Sequence, residues 1–480
     1  MAKRVGDTTV RMLSYNGSIP GPTLKVRQGT ELTVNVTNRG DLDTTVHWHG
    51  LRLENRSDGV PHATQPPIPV GGSFSCQVQF PDPGLYWYHP HIREDYTQEL
   101  GLYGNILVEP AEPDYWPPVD REFFLTLDDL LVEAGRVAPF SRDQVTYAAM
   151  GRYGNRLLIA GESDLRLAAG TGEVVRLWLT NTANTRVFKV RLPGARMKLV
   201  GGDSGRVERE QFVDGVRLAP SERAVVDVLL DQPGELRLEH HSPEQTYRLA
   251  TLTVTGEPGR SRAAGFEVLR TAPELVAERE QLDRWLAAEP DKVLALVAEM
   301  DASAHAHHMH HGGGHGGHAG HGDHGGHGDH GGHEGHGGHG GGDDGIEWED
   351  QMVDMNRVTT DADIRWLLVD RATGAAGPAI DWRFTVGDRV KIRLVNELDS
   401  DHPMQHPFHL HGAGRFLVLA RNGATEPNLV WKDTVLVRTG EVVDILFDVT
   451  NPGQWMAHCH IAEHMQSGMM FSFTVDPRGS

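Results

Sequence analysis

The chain has 480 residues, which is enough for about three domains, and it carries a formal net charge of −21. So acidic a protein is not expected to bind nucleic acid, because like charges repel. No run approaches the roughly 18 apolar residues of a membrane helix, and no signal peptide precedes the first strand-like segment.

Short runs of alternating apolar and polar residues dominate the chain and predict an all-β fold of the sandwich type. In the first segment, a strand after Gly29 leads to His47-Trp48-His49-Gly50. Five residues after Gly84, a second histidine pair begins with His89-Pro90-His91. Cys76 alternates with apolar neighbours, which predicts a buried free thiol.

The middle segment repeats this order of elements without the histidine pairs. A strand at 174–179 leads to Phe188, where a pair would stand, and Gly234 is followed at the same offset by Glu239-His240-His241. We expect this unit to keep the sandwich fold and to lack metal ligands. His240 and His241 are predicted to lie in a loop.

A different kind of sequence follows. Apolar spacing predicts one or two helices over residues 273–300, with a break at Pro290. Residues 301–345 are rich in Gly and His, and nine histidines from His315 to His339 recur at every third position. Such a tract cannot bury a core, so it is predicted to be disordered without metal and to offer imidazoles to extra divalent cations.

The last segment repeats the first one element by element. A strand after Gly387 leads to His409-Leu410-His411-Gly412, and His458-Cys459-His460 begins five residues after Gly453, with Cys459 in the place of Pro90. The repeat predicts domains at 1–115, 116–260 and 346–480, with a helical and His/Gly-rich insertion at 261–345.

The chemistry is concentrated around Cys459. A cysteine, two histidines and a weak axial methionine form a blue-copper site, and Cys459, His464 and Met469 supply three of these ligands. His406 is the candidate for the missing histidine. On an extended segment, the two neighbours of Cys459 point to the opposite side. The sequence therefore predicts two metal sites that are joined through Cys459.

The second site needs histidines from both ends of the chain. The first and last segments each look like half a site, so we expect a multinuclear centre at their interface. Its predicted ligands are His47, His49, His89, His91, His409, His411, His458 and His460.

These motifs resemble a known family. His-Trp-His-Gly, Tyr-His-Pro-His, His-Pro-Phe-His-Leu-His-Gly and His-Cys-His-Ile-Ala-Glu-His-x₄-Met are similar to the four copper signatures of the multicopper oxidases. The similarity is closest to three-domain bacterial laccases and cuprous oxidases, and it covers nearly the whole chain outside 261–345. It implies three cupredoxin-like Greek-key β-sandwich domains.

The resemblance also implies four copper ions as cofactors, one of type 1, one of type 2 and two of type 3. By this resemblance the type 1 ligands are His406, Cys459, His464 and Met469. The type 2 ligands are His47 and His409. The type 3 ligands are His49, His89, His91, His411, His458 and His460.

The implied activity is one-electron oxidation of a substrate coupled to four-electron reduction of O2 to water. Electrons would pass from Cys459 into His458 and His460. Asp58 matches the family's carboxylate near the trinuclear cluster, although alone it would suggest an Asp-Gly turn. Some bacterial relatives carry a glutamate where this chain has Met465.

The proton donor therefore needs another candidate. Glu463 matches the common pattern before the last type 1 histidine. Glu94, Asp95 and Glu99 could replace the missing glutamate, but surface positions are expected for all three.

Two classes of reductant remain open. The first is a phenol or aromatic amine, as in laccases. The second is Cu(I), for which Met404, Asp354 and Met355 are candidate ligands. The histidine-rich insertion favours Cu(II) over Cu(I), because thioethers suit Cu(I) better than imidazoles do.

Two further functional hypotheses agree less well with the sequence. A non-enzymatic copper store would not need the full ligand set, and a copper nitrite reductase lacks the double His-Cys-His bridge. We expect a monomer that works in the periplasm or outside the cell, with an export signal absent from this chain.

Overall fold

The computed structural model describes residues 1–258, 262–300 and 344–479, and most of its elements are strands. The first part of the chain forms a four-stranded sheet in the order β3-β8-β7-β5, a β4-β6 pair and a β1-β2 hairpin, which we call the first sandwich. Its elements are β1 Ala2–Val5, β2 Thr8–Arg11, β3 Leu24–Arg27, β4 Glu31–Thr37, β5 His47–His49, β6 Ser73–Gln79, β7 Gly84–His89, α1 Glu94–Thr97 and β8 Gly104–Glu109.

The second sandwich has a six-stranded sheet, β12-β9-β14-β19-β16-β17, and a five-stranded sheet, β13-β21-β20-β15-β18. Its strands are β9 Arg121–Leu130, β10 Val132–Glu133, β11 Arg136–Val137, β12 Arg156–Ile159, β13 Leu165–Thr171, β14 Val174–Asn181, β15 Phe188–Arg191, β16 Arg196–Gly202, β17 Gly205–Val213, β18 Val216–Leu218, β19 Arg223–Leu229, β20 Gly234–His241 and β21 Thr246–Pro258.

The third sandwich repeats this arrangement with the sheets β23-β22-β25-β30-β27-β28 and β24-β32-β31-β26-β29. Its strands are β22 Lys292–Met300, β23 Ile364–Asp370, β24 Arg383–Thr385, β25 Arg389–Asn396, β26 His406–Leu410, β27 Gly414–Arg421, β28 Ala424–Thr425, β29 Thr434–Val437, β30 Val442–Val449, β31 Gly453–Cys459 and β32 Met470–Asp476. Its associated helices are α2 Pro273–Glu280, α3 Leu282–Ala287, α4 Val353–Val358 and α5 Ala462–Gln466.

Strand order shows the repeat directly. Each strand of the third sandwich has a counterpart in the second, and the parallel pairs β14–β9 and β13–β21 correspond to β25–β22 and β32–β24. The β3-β8-β7-β5 sheet of the first sandwich follows the order β13-β21-β20-β15. The all-β sandwich fold predicted from alternation is therefore confirmed.

The helix prediction is right for α2 and α3 and wrong for Lys292–Met300. That segment is strand β22, which lies between β23 and β25 and is antiparallel to the first and parallel to the second. A strand inside a sheet buries both faces, so its apolar run does not alternate and looks like a buried helix. The third sandwich thus begins within the segment that we assigned to the insertion, whereas we placed its start at 346. The predictions for 301–343 lie outside the described residues.

The middle unit keeps the fold but not the histidine pairs. Arg191 and Glu239 pair across β15 and β20, and Glu239 lies five residues after Gly234, the offset at which the other two sandwiches pair histidines. His240 lies within β20 and is buried, with its Nδ1 accepting a hydrogen bond from the Lys189 amide (3.1 Å). The expected loop position is wrong for both His240 and His241, because β20 extends to residue 241.

Candidate metal centres

Two neighbouring strands of each outer sandwich carry the predicted ligand histidines. In the first sandwich, His47 and His89 are paired across β5 and β7, and in the third, His409 and His458 are paired across β26 and β31. The second member of each motif lies two positions further on, so its side chain points to the same side of the strand. All eight histidines have exposed fractions of 5% or less: His47, His49, His89, His91, His409, His411, His458 and His460.

These eight imidazoles converge on one space between the first and third sandwiches. Ring nitrogens lie within 4.8 Å of one another in three groups: His47, His49 and His409; His49, His89 and His460; and His91, His411 and His458. His411 Nε2 and His458 Nε2 are 3.0 Å apart, and the rings of His49 and His409 stack at 3.8 Å. Each group has the composition of a metal site, and each contains histidines from both outer sandwiches.

Hydrogen bonds fix which nitrogen each ring turns towards that space. Nδ1 is the outer nitrogen of five rings, and it donates to an oxygen 2.7–2.8 Å away. The donor and acceptor pairs are His47 to the Asp58 carbonyl, His89 to the Pro90 carbonyl, His409 to the Asp433 carbonyl, His411 to the Asp58 carboxylate and His458 to the Cys459 carbonyl. His49 is turned the other way, because its Nε2 donates to Asp433 Oδ1 (2.9 Å).

Six of the nitrogens that face inward have no hydrogen-bond partner in the described part of the chain. Among the described residues, His49 Nδ1 and the Nε2 atoms of His47, His89, His91, His409 and His460 are buried and make no hydrogen bond. Burying a polar atom without a partner costs about 1–3 kcal/mol, so this many together indicate a missing bonding partner. Metal ions at the centre would satisfy these atoms.

The lowered pKa values of most of these rings favour the neutral imidazole, which is the form that binds metal ions. Burial, followed by neighbouring imidazoles, holds the pKa values of His49, His89, His409, His411 and His458 well below the usual value, and lowers the pKa of His460 to about 3. For His91, burial lowers the pKa but the Glu94 carboxylate outweighs it and raises the pKa overall. Neutral imidazoles keep the lone pair with which they bind metals.

A second centre lies on the other side of Cys459. Cys459 Sγ is 3.5 Å from His406 Nδ1 and 3.9 Å from His464 Nδ1, and the two Nδ1 atoms are 3.3 Å apart. Burial raises the pKa of the Cys459 thiol, so a thiolate here needs a cation beside it. A thiolate with two imidazoles is a donor set that suits copper.

Met469 is held next to these three residues by the main chain. Its carbonyl accepts from the Cys459 amide (3.1 Å), and its own amide donates to the His464 carbonyl (3.0 Å). The residue is fully buried in the core of the third sandwich. Trp366 covers the centre, since its ring stacks on that of His464 at a centroid distance of 3.9 Å.

Both centres meet at one tripeptide. Cys459 belongs to the core cluster of the third sandwich, whereas His458 and His460 point into the eight-histidine space. The connection from Cys459 to either histidine is therefore made of a few covalent bonds.

Asp58 lies beside the eight-histidine space, next to His47 and His411. It is 1% exposed, and it receives hydrogen bonds from His47 through its carbonyl and from His411 through its side chain. It therefore orients one histidine from each outer sandwich. An ordinary turn residue would be exposed.

The expectation of surface positions for Glu94, Asp95 and Glu99 is wrong, because all three are at most 4% exposed. Glu94 Oε1 lies 2.9 Å from His91 Nδ1, and Glu94 Oε2 accepts from Gln466 (2.6 Å). Charged residues in a short segment look like a surface turn, and only the tertiary structure shows what covers them.

Asp433 was not predicted from sequence as a residue of the site. It orients His49 with its side chain and His409 with its carbonyl. In the sequence it is one acidic residue before β29 without a distinctive motif.

The candidate Cu(I) ligands occupy different surroundings. Met404 is fully buried in the core of the third sandwich. Asp354 and Met355 lie on the six-residue helix α4, where both are exposed, Met355 by 49%.

Family models described as multicopper oxidase match residues 1–113 and 351–479, which together make up half of the chain. The chain belongs to the multicopper oxidase family. It is 26% identical to the multicopper oxidase MmcO of Mycobacterium tuberculosis, a match that covers 97% of this chain and 83% of that protein. It is 27% identical to a copper resistance protein A homolog of Pseudomonas syringae pv. tomato, over 98% of this chain and 91% of that protein.

Solved structures agree with this family. A crystal structure of a multi-copper oxidase from Pseudomonas thermotolerans matches with a TM-score of 0.68 and 26% identity, covering 99% of this chain and 97% of the other. As a multicopper oxidase, the protein is a copper-dependent oxidoreductase. The described parts of the chain contain no helix with the length and apolar character needed to cross a membrane.

Proposed function

We propose that this multicopper oxidase binds four copper ions and couples one-electron oxidation of phenols or aromatic amines to reduction of O2 to water. The observation that carries the proposal is the pair of donor clusters joined at residues 458–460. One cluster has the donors of a single blue-copper site, and the other has eight imidazoles for several ions.

The groups of converging atoms support the ligand assignment that the family resemblance implies. His406, Cys459 and His464, with Met469 as the axial group, would hold the type 1 ion. His47 and His409 would hold the type 2 ion. The six other histidines divide into two sets for the type 3 ions: His49, His89 and His460, and His91, His411 and His458.

Bound copper would supply one-electron redox chemistry between the reductant and O2. The protein contributes fixed geometry, since hydrogen bonds to Nδ1 or Nε2 hold the rings in one tautomer and orientation. The cluster is buried between sandwiches, which excludes bulk water. Asp58 and Glu94 hold protons on the outer Nδ1 atoms of His411 and His91.

The surroundings of Cys459 limit how a reductant delivers its electrons. His406 and His464 are at most 1% exposed, so a phenol cannot touch either ring in this conformation. The electron must cross the covering layer that includes Trp366, which stacks on His464. Single electrons can cross such a layer, whereas a hydride or an oxygen atom would need direct contact.

Cu(I) is the second candidate reductant, and one observation favours it. His402 Nε2 lies 3.2 Å from Met150 Sδ, and the His402 ring is 5.9 Å from that of Trp366. Imidazole and thioether groups beside the type 1 position are suitable ligands for Cu(I), whereas a phenol does not need such ligands. The relative named copper resistance protein A agrees with this alternative.

Oxygen uptake with each reductant tests the proposal. We expect both an electron-rich phenol and Cu(I) held in a chelating buffer to be oxidised, with four electrons taken up per O2 and no peroxide released, because four bound copper ions would together supply four electrons. A ratio of kcat/KM values in favour of the phenol supports the first reductant, and the opposite ratio supports Cu(I). Peroxide as the main product would contradict the proposed reaction.

A further inference from the structure

One side chain of the second sandwich touches both outer sandwiches at the eight-histidine centre. Arg223 is the first residue of β19, and its side chain has no exposed surface. Its Nε donates to the Leu85 carbonyl (2.9 Å) on β7, the strand that carries His89. Its Nη1 and Nη2 donate to Oδ1 (2.7 Å) and Oδ2 (2.5 Å) of Asp433 in the third sandwich.

Asp433 is in turn hydrogen-bonded to two predicted ligands. Its Oδ1 accepts from His49 Nε2 (2.9 Å), and its carbonyl accepts from His409 Nδ1 (2.8 Å). His49 comes from the first sandwich and His409 from the third. Asp433 therefore connects Arg223 to two rings that stack on each other at a centroid distance of 3.8 Å.

His49 is turned differently from the neighbouring rings. It turns Nδ1 towards the centre, whereas His47, His89, His91, His409 and His460 turn Nε2, and the inward atom has no protein partner in any of the six. A neutral imidazole shifts easily between tautomers, and the hydrogen bond at its outer nitrogen decides which one forms. For His49 the nearer partner at that nitrogen is the Asp433 carboxylate at 2.9 Å, and the Thr434 hydroxyl lies at 3.1 Å.

The position of Asp433 is in turn fixed by Arg223. A two-point pair between guanidinium and carboxylate sets the plane of the carboxylate as well as its distance. Gly50 packs against the pair so closely that a Cβ there would lie 2.4 Å from Asp433 Oδ2 and 2.8 Å from Arg223 Nη2. The residue that follows His49 therefore has to be small.

Further ion pairs surround the Arg223–Asp433 pair on the side of the second sandwich. Lys432 Nζ contacts Asp203 Oδ2 (3.0 Å) and Glu222 Oε1 (3.1 Å), and Asp203 Oδ1 accepts from the Arg223 amide (2.8 Å). Charges alternate from Glu222 through Lys432, Asp203 and Arg223 to Asp433. Each buried charge therefore has an opposite partner, which such a network requires.

We propose that Arg223, supplied by the sandwich without ligands, is a positioning residue for the multinuclear copper centre: it holds Asp433 so that His49 presents Nδ1 to its ion. This inference rests on the proposed function. It also gives the second sandwich a task at the centre beyond joining the other two.

A matched control separates positioning from general stability. Arg176 on β14 is also buried, and it pairs with Asp227 through two contacts of 2.7 and 2.9 Å. Arg176 and Asp227 both lie in the second sandwich. Arg176→Gln breaks the same kind of ion pair away from the ligand histidines.

The experiment compares Arg223→Gln, Arg223→Lys and Arg176→Gln in the full-length, copper-loaded protein. Copper retained against a series of competing chelators is measured together with the blue absorption and the electron paramagnetic resonance signal of the multinuclear centre. We expect Arg223→Gln to weaken copper binding at that centre by about 10-fold, the lower end of the effect of losing a direct partner of a metal ligand, because Arg223 acts through Asp433. Its resonance signal changes while the blue absorption persists.

The other two variants decide the outcome. Arg223→Lys keeps the charge but cannot make both contacts to Asp433, so we expect an intermediate loss. Arg176→Gln should keep wild-type copper binding and spectra. Equal behaviour of Arg223→Gln and Arg176→Gln overturns the inference. If Arg223→Gln does not fold, wild-type affinity and spectrum in Arg223→Lys overturn it, and a weakened centre supports it. A wild-type protein without copper among the eight histidines overturns both this inference and the proposed function.

Discussion

Replacing Cys459 by serine is expected to abolish the blue absorption and to lower oxidase activity by more than about 100-fold, above the effect of losing a partner behind a ligand. Among the described residues, Cys459 is the cysteine grouped with His406 and His464, and a neutral hydroxyl is a poor ligand for the same ion. The change leaves His458 and His460 in place, so copper should remain at the eight-histidine centre. Absorption spectra, copper content and oxygen uptake of the purified variant test this expectation.

The chain supplies a matched control for this change. Cys76 is the other cysteine, and it is a buried free thiol, as the sequence predicted. It lies in the core of the first sandwich, so Cys76→Ser also places a hydroxyl in a core, but away from the proposed ligands. We expect Cys76→Ser to keep colour and activity. If Cys459→Ser oxidised phenols at the wild-type rate, the type 1 assignment would be wrong.

Removing copper is expected to lower the unfolding temperature by a large amount. The ions bind histidines of the first and third sandwiches together, so they stabilise the folded arrangement and have no equivalent site in the unfolded chain. A single site held at a free ion concentration a thousand times its Kd stabilises the fold by about 4 kcal/mol. Calorimetry of the apo and copper-loaded proteins measures the difference.

A titration serves as the control for this second expectation. The midpoint should rise with free copper and return when a chelator is added, because linkage is reversible. The histidine-rich tract at 301–345 is predicted from sequence to bind further divalent ions, so a protein lacking residues 302–343 should be measured beside the full chain. Identical melting curves for apo and loaded protein would contradict a centre shared between sandwiches.

The fold could be predicted from sequence where its signals were local. Alternation predicted the strands. The recurring order of a strand and a later glycine predicted three related units, of which the first and last carry histidine pairs. The prediction failed at Lys292–Met300, because a strand buried on both faces shows no alternation. It failed at His240 for a related reason: a single histidine in the core of a sheet resembles one in a loop until its neighbours are known.

The candidate site also has residues that could be predicted from sequence and residues that could not. Histidine pairs and the His-Cys-His tripeptide are short motifs with fixed spacing, so all of the proposed histidine ligands could be named from the sequence. The groups behind them could not. Asp433 lies 384 positions after His49, and Arg223 lies 210 positions before Asp433. Single acidic or basic residues carry no motif, and only folding shows which histidine each one meets.

The most direct test of the central claim is a crystal structure of the copper-loaded protein with anomalous diffraction recorded at the copper absorption edge. We expect one peak between Cys459, His406 and His464 and three peaks among the eight histidines, one for each group of converging nitrogens. A crystal of loaded, active protein with no copper peak inside the eight-histidine centre would contradict the account.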